Sequence, residues 1–464
     1  MASRLSPGDM GDLCIYLLIR QTNSFLLFVC NDYVHRLLSQ GIVMIYRVLL
    51  AMCGLLIWLP AAAEPLKLGV GLLTASGDAR EGVIETVRRF EALYPGAKVE
   101  VIAKYDEEFK LSTLSWLEKG GDNAPDIYFG SAGERLYRLV RKDLVADISA
   151  IWNKEKLDEQ FKPGIKASVS HNGQVYAIPF AYYQWGLYYN ALTLVQYNLE
   201  PPQTWSELLK VCGVLKQHNV YCFGIGTKDF WPAAGWFDYI DLRLNGLAFH
   251  QALTRGCVPY WDRRVVKAMR LWAELINAGY FSPGAAEHDW RDVFPEIYRG
   301  KTVFTLTGNF AETALVNIPE RVKEAIRFLP FPRIADNMPN YEDAPTDIFF
   351  LSKAAANKPY ANELIAFLAR PDIQELLTSG LFMIPVNIKA QAQDTYFVKE
   401  GLKVLHESDG FAQFFDRDTP KSMADDAIRI FSQFIEHGDV ERAVNALEKA
   451  RIDAYQGVHA AVDC

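Results

Sequence analysis

Asn172-Gly-Gln-Val-Tyr-Ala-Ile-Pro179-Phe-Ala-Tyr182-Tyr183-Gln-Trp185-Gly-Leu-Tyr188-Tyr189-Asn190 is the stretch on which the reading of this chain turns. It opens on Asn-Gly, a turn signal, runs apolar through Val175, Ala177 and Ile178 to a proline, and resumes as an aromatic strand ending in Tyr-Tyr-Asn. Pro179 has no N–H to give a neighbouring strand, so the ladder is expected to break near it. A strand broken there and resumed beyond joins two bodies, and the break is a hinge. Tyr182, Tyr183 and Trp185 then stand at the mouth of the crevice between the bodies, a preferred place for small ligands. The same residues also fit a plain core hairpin whose aromatics only pack.

Outward from that stretch, 464 residues are too many for one core, and two or three domains are expected. Half the residues are apolar and about a fifth charged, a globular composition without a low-complexity tract. Met44-Ile-Tyr-Arg47, an apolar run from Val48 to Leu59 and Pro60-Ala-Ala-Ala63 have the order of a secretory signal peptide, cut after Ala63. The apolar run is shorter than the roughly twenty residues that span a bilayer. Translation is expected to begin at Met44, since residues 1–43 have the pattern of neither a domain nor a targeting segment. Without residues 1–63 the chain keeps 44 basic and 53 acidic side chains, a net of −9 with no basic stripe, which argues against nucleic acid as a partner. Four of the seven cysteines remain: Cys212, Cys222, Cys257 and Cys464. In an oxidising compartment Cys212 and Cys222 are close enough in sequence to pair. No two of the four have the spacing of a zinc knuckle.

The elements alternate. Lys67–Leu73 reads as a strand, Thr74–Gly82 as a polar loop, Val83–Leu93 as a helix and Ala97–Ile102 as a second strand, the opening of an α/β domain. A helix over Phe109–Glu118 follows, then a strand through Asp126–Phe129 that leads into the glycine-rich turn Gly130–Glu134. Past Asn190, Thr204 and Glu207 form a capping box that starts a helix at Trp205. Val220–Ile225 is a strand, Gly226–Trp236 an aromatic loop and Lys301–Phe310 a strand ending in a glycine loop. Thr346–Ser352 is a late strand, and two amphipathic helices, Pro420–Phe434 and Val440–Tyr455, close the chain.

Eight short motifs occur in order: Phe90-Glu-Ala-Leu-Tyr-Pro, Ala124-Pro-Asp126-Ile-Tyr-Phe, Leu144-Val-Ala-Asp, Asn-Gly-x-x-Tyr176-Ala-Ile-Pro179, Leu187-Tyr-Tyr-Asn190, Pro202-x-Thr204-Trp205-x-Glu207-Leu, Gly300-Lys-x-x-Phe304-x-x-x-Gly308 and Gly380-x-x-x-x-Pro385. In this order, behind a signal peptide, the chain resembles the extracellular solute-binding proteins of carbohydrate ABC importers, the maltose-binding type, over about residues 66–456. The resemblance implies an α/β, two-lobed periplasmic binding protein fold, type II-like, with three chain crossings. They fall near Ala181–Tyr182, Pro345–Asp347 and Gln391–Thr395. Lobe 1 is then 64–181 with 346–392, and lobe 2 is 182–345 with 393–464. It also implies a small-molecule ligand held between the lobes, a membrane ABC permease as partner, a periplasmic monomer, no cofactor and no catalysis.

A sugar presents an apolar face of C–H groups and a rim of hydroxyls, so its site needs flat aromatics with convergent polar groups. Trp231, Trp236, Trp185, Tyr182, Tyr183 and Phe310 are the candidate platforms. Asp78, Arg80, Ser131, Glu134, Asp229, Asn309 and Asp347 are the candidate polar contacts. The maltose type carries tryptophans where this chain has Gly130 and Phe310, which leaves the sugar open. Other ligands of the same fold remain: a polyamine on Asp78, Glu134, Asp229 and Asp347, a sugar phosphate on Arg80 and Lys228, or ferric ion on adjacent tyrosines. The loaded protein is also compatible with presenting its ligand to a sensor kinase. A glycosidase is disfavoured, since carboxylate pairs such as Asp425-Asp426 mark a solvated helix face and the sequence has none of the common catalytic motifs.

Overall fold

The structure is a computed structural model that describes residues 64–72 and 77–456, with side chains from Arg80 onward in the second stretch. The export segment Met44–Ala63, its cleavage point and Thr74–Ser76 lie outside the described residues. Among the described residues no helix is long and apolar enough to cross a membrane.

The strands of the described residues are numbered β1 (Leu66–Leu72), β2 (Val99–Tyr105), β3 (Ile127–Ser131), β4 (Ser170–His171), β5 (Gln174–Val175), β6 (Ile178–Tyr182), β7 (Trp185–Asn190), β8 (Tyr221–Phe223), β9 (Thr302–Gly308), β10 (Ile326–Leu329), β11 (Tyr341–Asp343), β12 (Thr346–Leu351), β13 (Ile384–Pro385) and β14 (Gly410–Ala412). One sheet has six strands in the order β13-β6-β12-β3-β1-β2, the other four in the order β10-β7-β9-β8. The first draws on residues 66–182 and 346–385, the second on 185–329, so each is the core of one lobe. Every residue of β7, β9 and β12 is buried. Strands covered on both faces need no polar side, and β7 and β12 run largely apolar and aromatic, while β9 buries Thr302, Thr305 and Thr307.

The chain passes from the first sheet to the second between Tyr182 and Trp185. Pro179 sits inside β6, opposite Ile348 of β12. Its carbonyl accepts from the Gln374 side chain at 2.8 Å. A strand residue points its N–H to the same side as its C=O, so the missing donor faces an edge that β13 does not reach, since β13 pairs only with Ala181 and Tyr182. The ladder is irregular there as expected, since the register against β12 shifts between Ala181 and Pro179, and the chain leaves the first sheet at Tyr183-Gln184 between β6 and β7. The ladder of the other lobe is prolonged there, with the Asn309 N–H donating to the Gln184 carbonyl at 3.1 Å.

Two loops of the sequence reading are helices. Gly77–Leu93 begins inside the expected polar loop, and Glu134–Arg141 replaces the end of the expected glycine turn. The capping box at Thr204 and Glu207 forms as expected and starts the helix Trp205–Gln217. Cys212 and Cys222 are joined by a disulfide between that helix and β8.

Candidate ligand-binding crevice

The register of the two sheets builds the site. In the first, Asp347 at the start of β12 lies opposite Ser131 at the end of β3 and opposite Ala181 near the end of β6. In the second, Trp185 at the start of β7 lies opposite Gly308 at the end of β9. These two edges face one another across the hinge. The segment Phe414–Asp418, which follows β14, closes the gap between them.

One wall is aromatic. Trp185 stacks on Phe414 at 4.6 Å between ring centres, and Trp231 meets it edge-on at 5.8 Å. Phe310 lies 6.0 Å from Trp231 and 5.3 Å from Tyr183. Glycine permits the crowding: a Cβ on Gly308 would come within 2.4 Å of Phe310, and one on Gly235 within 2.9 Å of the Trp185 ring. A buried network fixes Trp185 from behind. Its carbonyl lies 2.7 Å from the Tyr239 hydroxyl, which is also 2.9 Å from Glu342, and Arg243 holds Glu342 at 2.5 Å. The Trp185 indole N–H is buried and has no partner among the described residues.

The other wall is charged and internally neutral. Lys110 lies 2.5 Å from Asp106, Arg135 pairs with Asp416, and Arg417 lies 2.7 Å from Asp347. Arg417 also donates to the Tyr183 hydroxyl, with its guanidinium 5.3 Å from the centre of that ring. Burial works against the Arg417 charge, but the Tyr183 oxygen and the Asp347 and Asp416 carboxylates hold it above the ordinary guanidinium range. Burial pushes the Asp347 carboxyl up against the pull of Arg417. Asp416 and Arg417 belong to the 414–418 segment, whereas Arg135 and Asp347 belong to the first lobe, so both pairs span the crevice. At the rim, Arg291 of the second lobe donates to the Tyr105 hydroxyl of the first at 3.2 Å. The cavity between the walls is about 40 Å³. That is room for a few waters.

Of the thirteen residues singled out by sequence, Ser131, Tyr183, Trp185, Trp231, Phe310 and Asp347 line this crevice. Six others do not. Trp236 is a core residue rather than a platform: the helix Pro232–Asn245 begins within the expected loop and turns it inward against Phe223 and Phe281, at 4.7 and 5.0 Å. Asn309 is wholly buried and donates to the Phe382 carbonyl at 2.8 Å. Tyr182 points opposite to Tyr183, as strand neighbours must, and packs behind the hinge beside Ile384 and Val398. Glu134 pairs with Arg141 along its own helix, and Arg80 is exposed on another. Asp229 lies beside the crevice without lining it, near enough to Tyr105 to act on that hydroxyl. Asp78 falls in a helical turn, and its side chain lies outside the described residues.

Asp106, Lys110, Arg135, Phe414, Asp416 and Arg417 line the crevice without having been foreseen. Asp106 and Lys110 carried a usable signal, since they follow a strand at its carboxyl end, where open α/β sheets bind ligands. Phe414-Phe-Asp-Arg417-Asp is a cluster of aromatics and mixed charges between two periodic segments.

Residues 72–375 match the family described as bacterial extracellular solute-binding protein. An uncharacterized ABC transporter extracellular-binding protein of Pyrococcus horikoshii is 23% identical over 339 residues, 70% of this chain and 74% of its own. Among solved structures, the bacterial solute receptor AcbH, described as having an exclusive preference for β-D-galactopyranose, superposes with a TM-score of 0.76 at 22% identity. That match covers 85% of this chain and 99% of the receptor. A chitin oligosaccharide binding protein superposes at 0.73 with 19% identity, over 84% of this chain and 99% of its own.

Proposed function

The chain belongs to the bacterial extracellular solute-binding proteins of ABC transporters, and from that premise we propose that its solute is a neutral mono- or oligosaccharide, held between the two sheets and passed to a membrane permease by hinge closure. The observation that carries this reading is the pairing of an aromatic wall with a charged wall that sums to zero. Among the lining residues Lys110, Arg135 and Arg417 are matched by Asp106, Asp416 and Asp347, and Lys110 also bonds Glu107, outside the lining, at 2.9 Å. A polyamine calls for surplus carboxylates and a sugar phosphate for surplus bases. A neutral polyhydroxylated ring calls for neither, only for flat apolar surface and many donors and acceptors. The unpartnered indole N–H of Trp185 adds a donor that a ligand oxygen would satisfy. Relatives of this fold described as binding galactopyranose and chitin oligosaccharides agree with the reading.

The proposal also takes the protein as an exported periplasmic monomer with no catalytic step and no cofactor. Its lobes are taken as 64–181 with 346–392 and 182–345 with 393–464, in line with the residues each sheet draws on. Thermal melting against a panel of neutral sugars, polyamines, sugar phosphates and ferric ion tests it, because a ligand that binds only the folded state raises the melting temperature by mass action. A neutral sugar is expected to give the largest rise. A rise with a polyamine, a sugar phosphate or iron and none with sugars overturns the carbohydrate assignment.

A further inference from the structure

The three ion pairs of the crevice are not equivalent. Lys110 and Arg135 keep 29% and 20% of their side chains exposed, whereas Arg417 keeps 10% and Asp347 only 2%. The innermost pair is therefore the one that water screens least. Its geometry is fixed on every side. Asp347 is held in the β12 ladder opposite Ser131 and Ala181. Arg417 is held by Asp347, by the Tyr183 hydroxyl and by the face of the Tyr183 ring. The segment that carries Arg417 is itself anchored, since the Phe415 N–H donates to buried Asp238 at 2.9 Å.

A guanidinium has five N–H donors and no acceptor, and an ionised carboxylate has acceptors only. Arg417 gives one donor to Asp347 and one to Tyr183, which leaves the rest of the fork for a ligand. Asp347 receives Arg417 on Oδ1, which leaves Oδ2. A donor and an acceptor thus stand side by side in the lining of the crevice. A hydroxyl is able to meet either. A ligand carboxylate would be drawn to Arg417 but repelled by Asp347, and a ligand ammonium the reverse. Each would bury its charge against a pair that is already neutral, with nothing to repay its lost hydration.

We propose that the Arg417–Asp347 pair is the specificity-determining element of the crevice: Arg417 donates to one ligand hydroxyl, Asp347 accepts from its neighbour, and together they reject ligands charged with either sign. This rests on the reading of the crevice as a sugar site, but it fails separately. The probes are the neutral sugar that most raises the melting temperature, its uronate and its 2-amino counterpart, with binding measured by calorimetry on the full exported protein. The wild type is expected to prefer the neutral sugar over both by about tenfold or more. Asp347→Asn removes the carboxylate bonded to Arg417 and is expected to move the preference about tenfold toward the uronate. Arg417→Gln leaves Asp347 unbalanced and is expected to move it as far toward the amino sugar.

Singly deoxygenated forms of the same sugar test the wild type without any substitution, because a site built for a hydroxyl rejects the analogue that lacks it. Two deoxygenated positions on adjacent carbons are expected to be the most damaging. Overturning results are a wild type that binds the charged forms as well as the neutral one, folded variants that keep the wild-type order of preference, or adjacent deoxygenations without effect. Absence of binding by any neutral sugar would instead remove the proposed function itself.

Discussion

The two walls of the crevice solve different problems with different chemistry. The wall of the second lobe is a set of rings, Trp185, Trp231 and Phe310, packed edge to face and supported by glycines that let them approach. The wall of the first lobe is a set of charges, Asp106, Lys110, Arg135 and Asp347, each neutralised by a partner. Rings supply apolar area that is indifferent to which sugar lies on it, while paired charges supply donors and acceptors at fixed points. Affinity and selectivity are therefore expected to separate between the lobes. The 414–418 segment belongs to both, with Phe414 stacked on Trp185 while Asp416 and Arg417 reach the first lobe.

The sharpest way to break the comparison is to show that the aromatic wall is merely core. Trp236 and Trp231 are the contrast. Trp236 is wholly buried among rings, and Trp236→Ala is expected to cost about 3–5 kcal/mol of stability in a denaturant melt. Trp231 is half-buried at the crevice, and Trp231→Ala is expected to weaken sugar binding by about 1–3 kcal/mol with little change in the unliganded melt. Equal losses of stability in both variants would abolish the distinction.

A third test addresses the support beneath the charged segment. Asp343 is fully buried, neither of its carboxylate oxygens has a partner among the described residues, and burial pushes its carboxyl well above the ordinary range despite the pull of Arg417. A raised carboxyl binds its proton more tightly folded than unfolded, so its contribution is present below the unfolded value of about 3.9 and is lost as pH rises toward the folded one. Asp343→Asn is therefore expected to flatten the fall of melting temperature with rising pH. A variant with the wild-type pH slope would show that Asp343 does not contribute to it. The smallest effect belongs to Glu134, which pairs with Arg141 outside the crevice. Glu134→Gln is expected to change stability and sugar affinity by no more than about 0.5 kcal/mol, and a larger loss of affinity would place that helix in the site.

The same contrast explains what the sequence let one read. The aromatic wall was legible because rings such as Trp185 and Phe310 sit at strand ends, and a strand end is marked by glycine and by the break in an apolar run. Trp236 was misplaced because Pro232 looks like a loop residue but also fits the first turn of a helix, where its missing N–H costs nothing. The charged wall was nearly illegible. An Arg–Asp pair such as Arg417 and Asp347 is 70 residues apart in sequence, and nothing in either neighbourhood announces the other. Asp347 was foreseen only through its place at a crossing. Pro179 marks a real irregularity, the register shift of β6 against β12, but the strand continues past it because β13, about two hundred residues later, pairs with Ala181 and Tyr182.

The claim on which all of this depends is that one sugar is held by both walls at once. Hydrogen exchange followed by mass spectrometry, with and without the sugar that most raises the melting temperature, reads both walls in one experiment. Protection is expected together in peptides covering 128–135, 183–186, 308–311 and 412–418. A sugar that raises the melting temperature while protecting only one wall, or neither, would contradict the account.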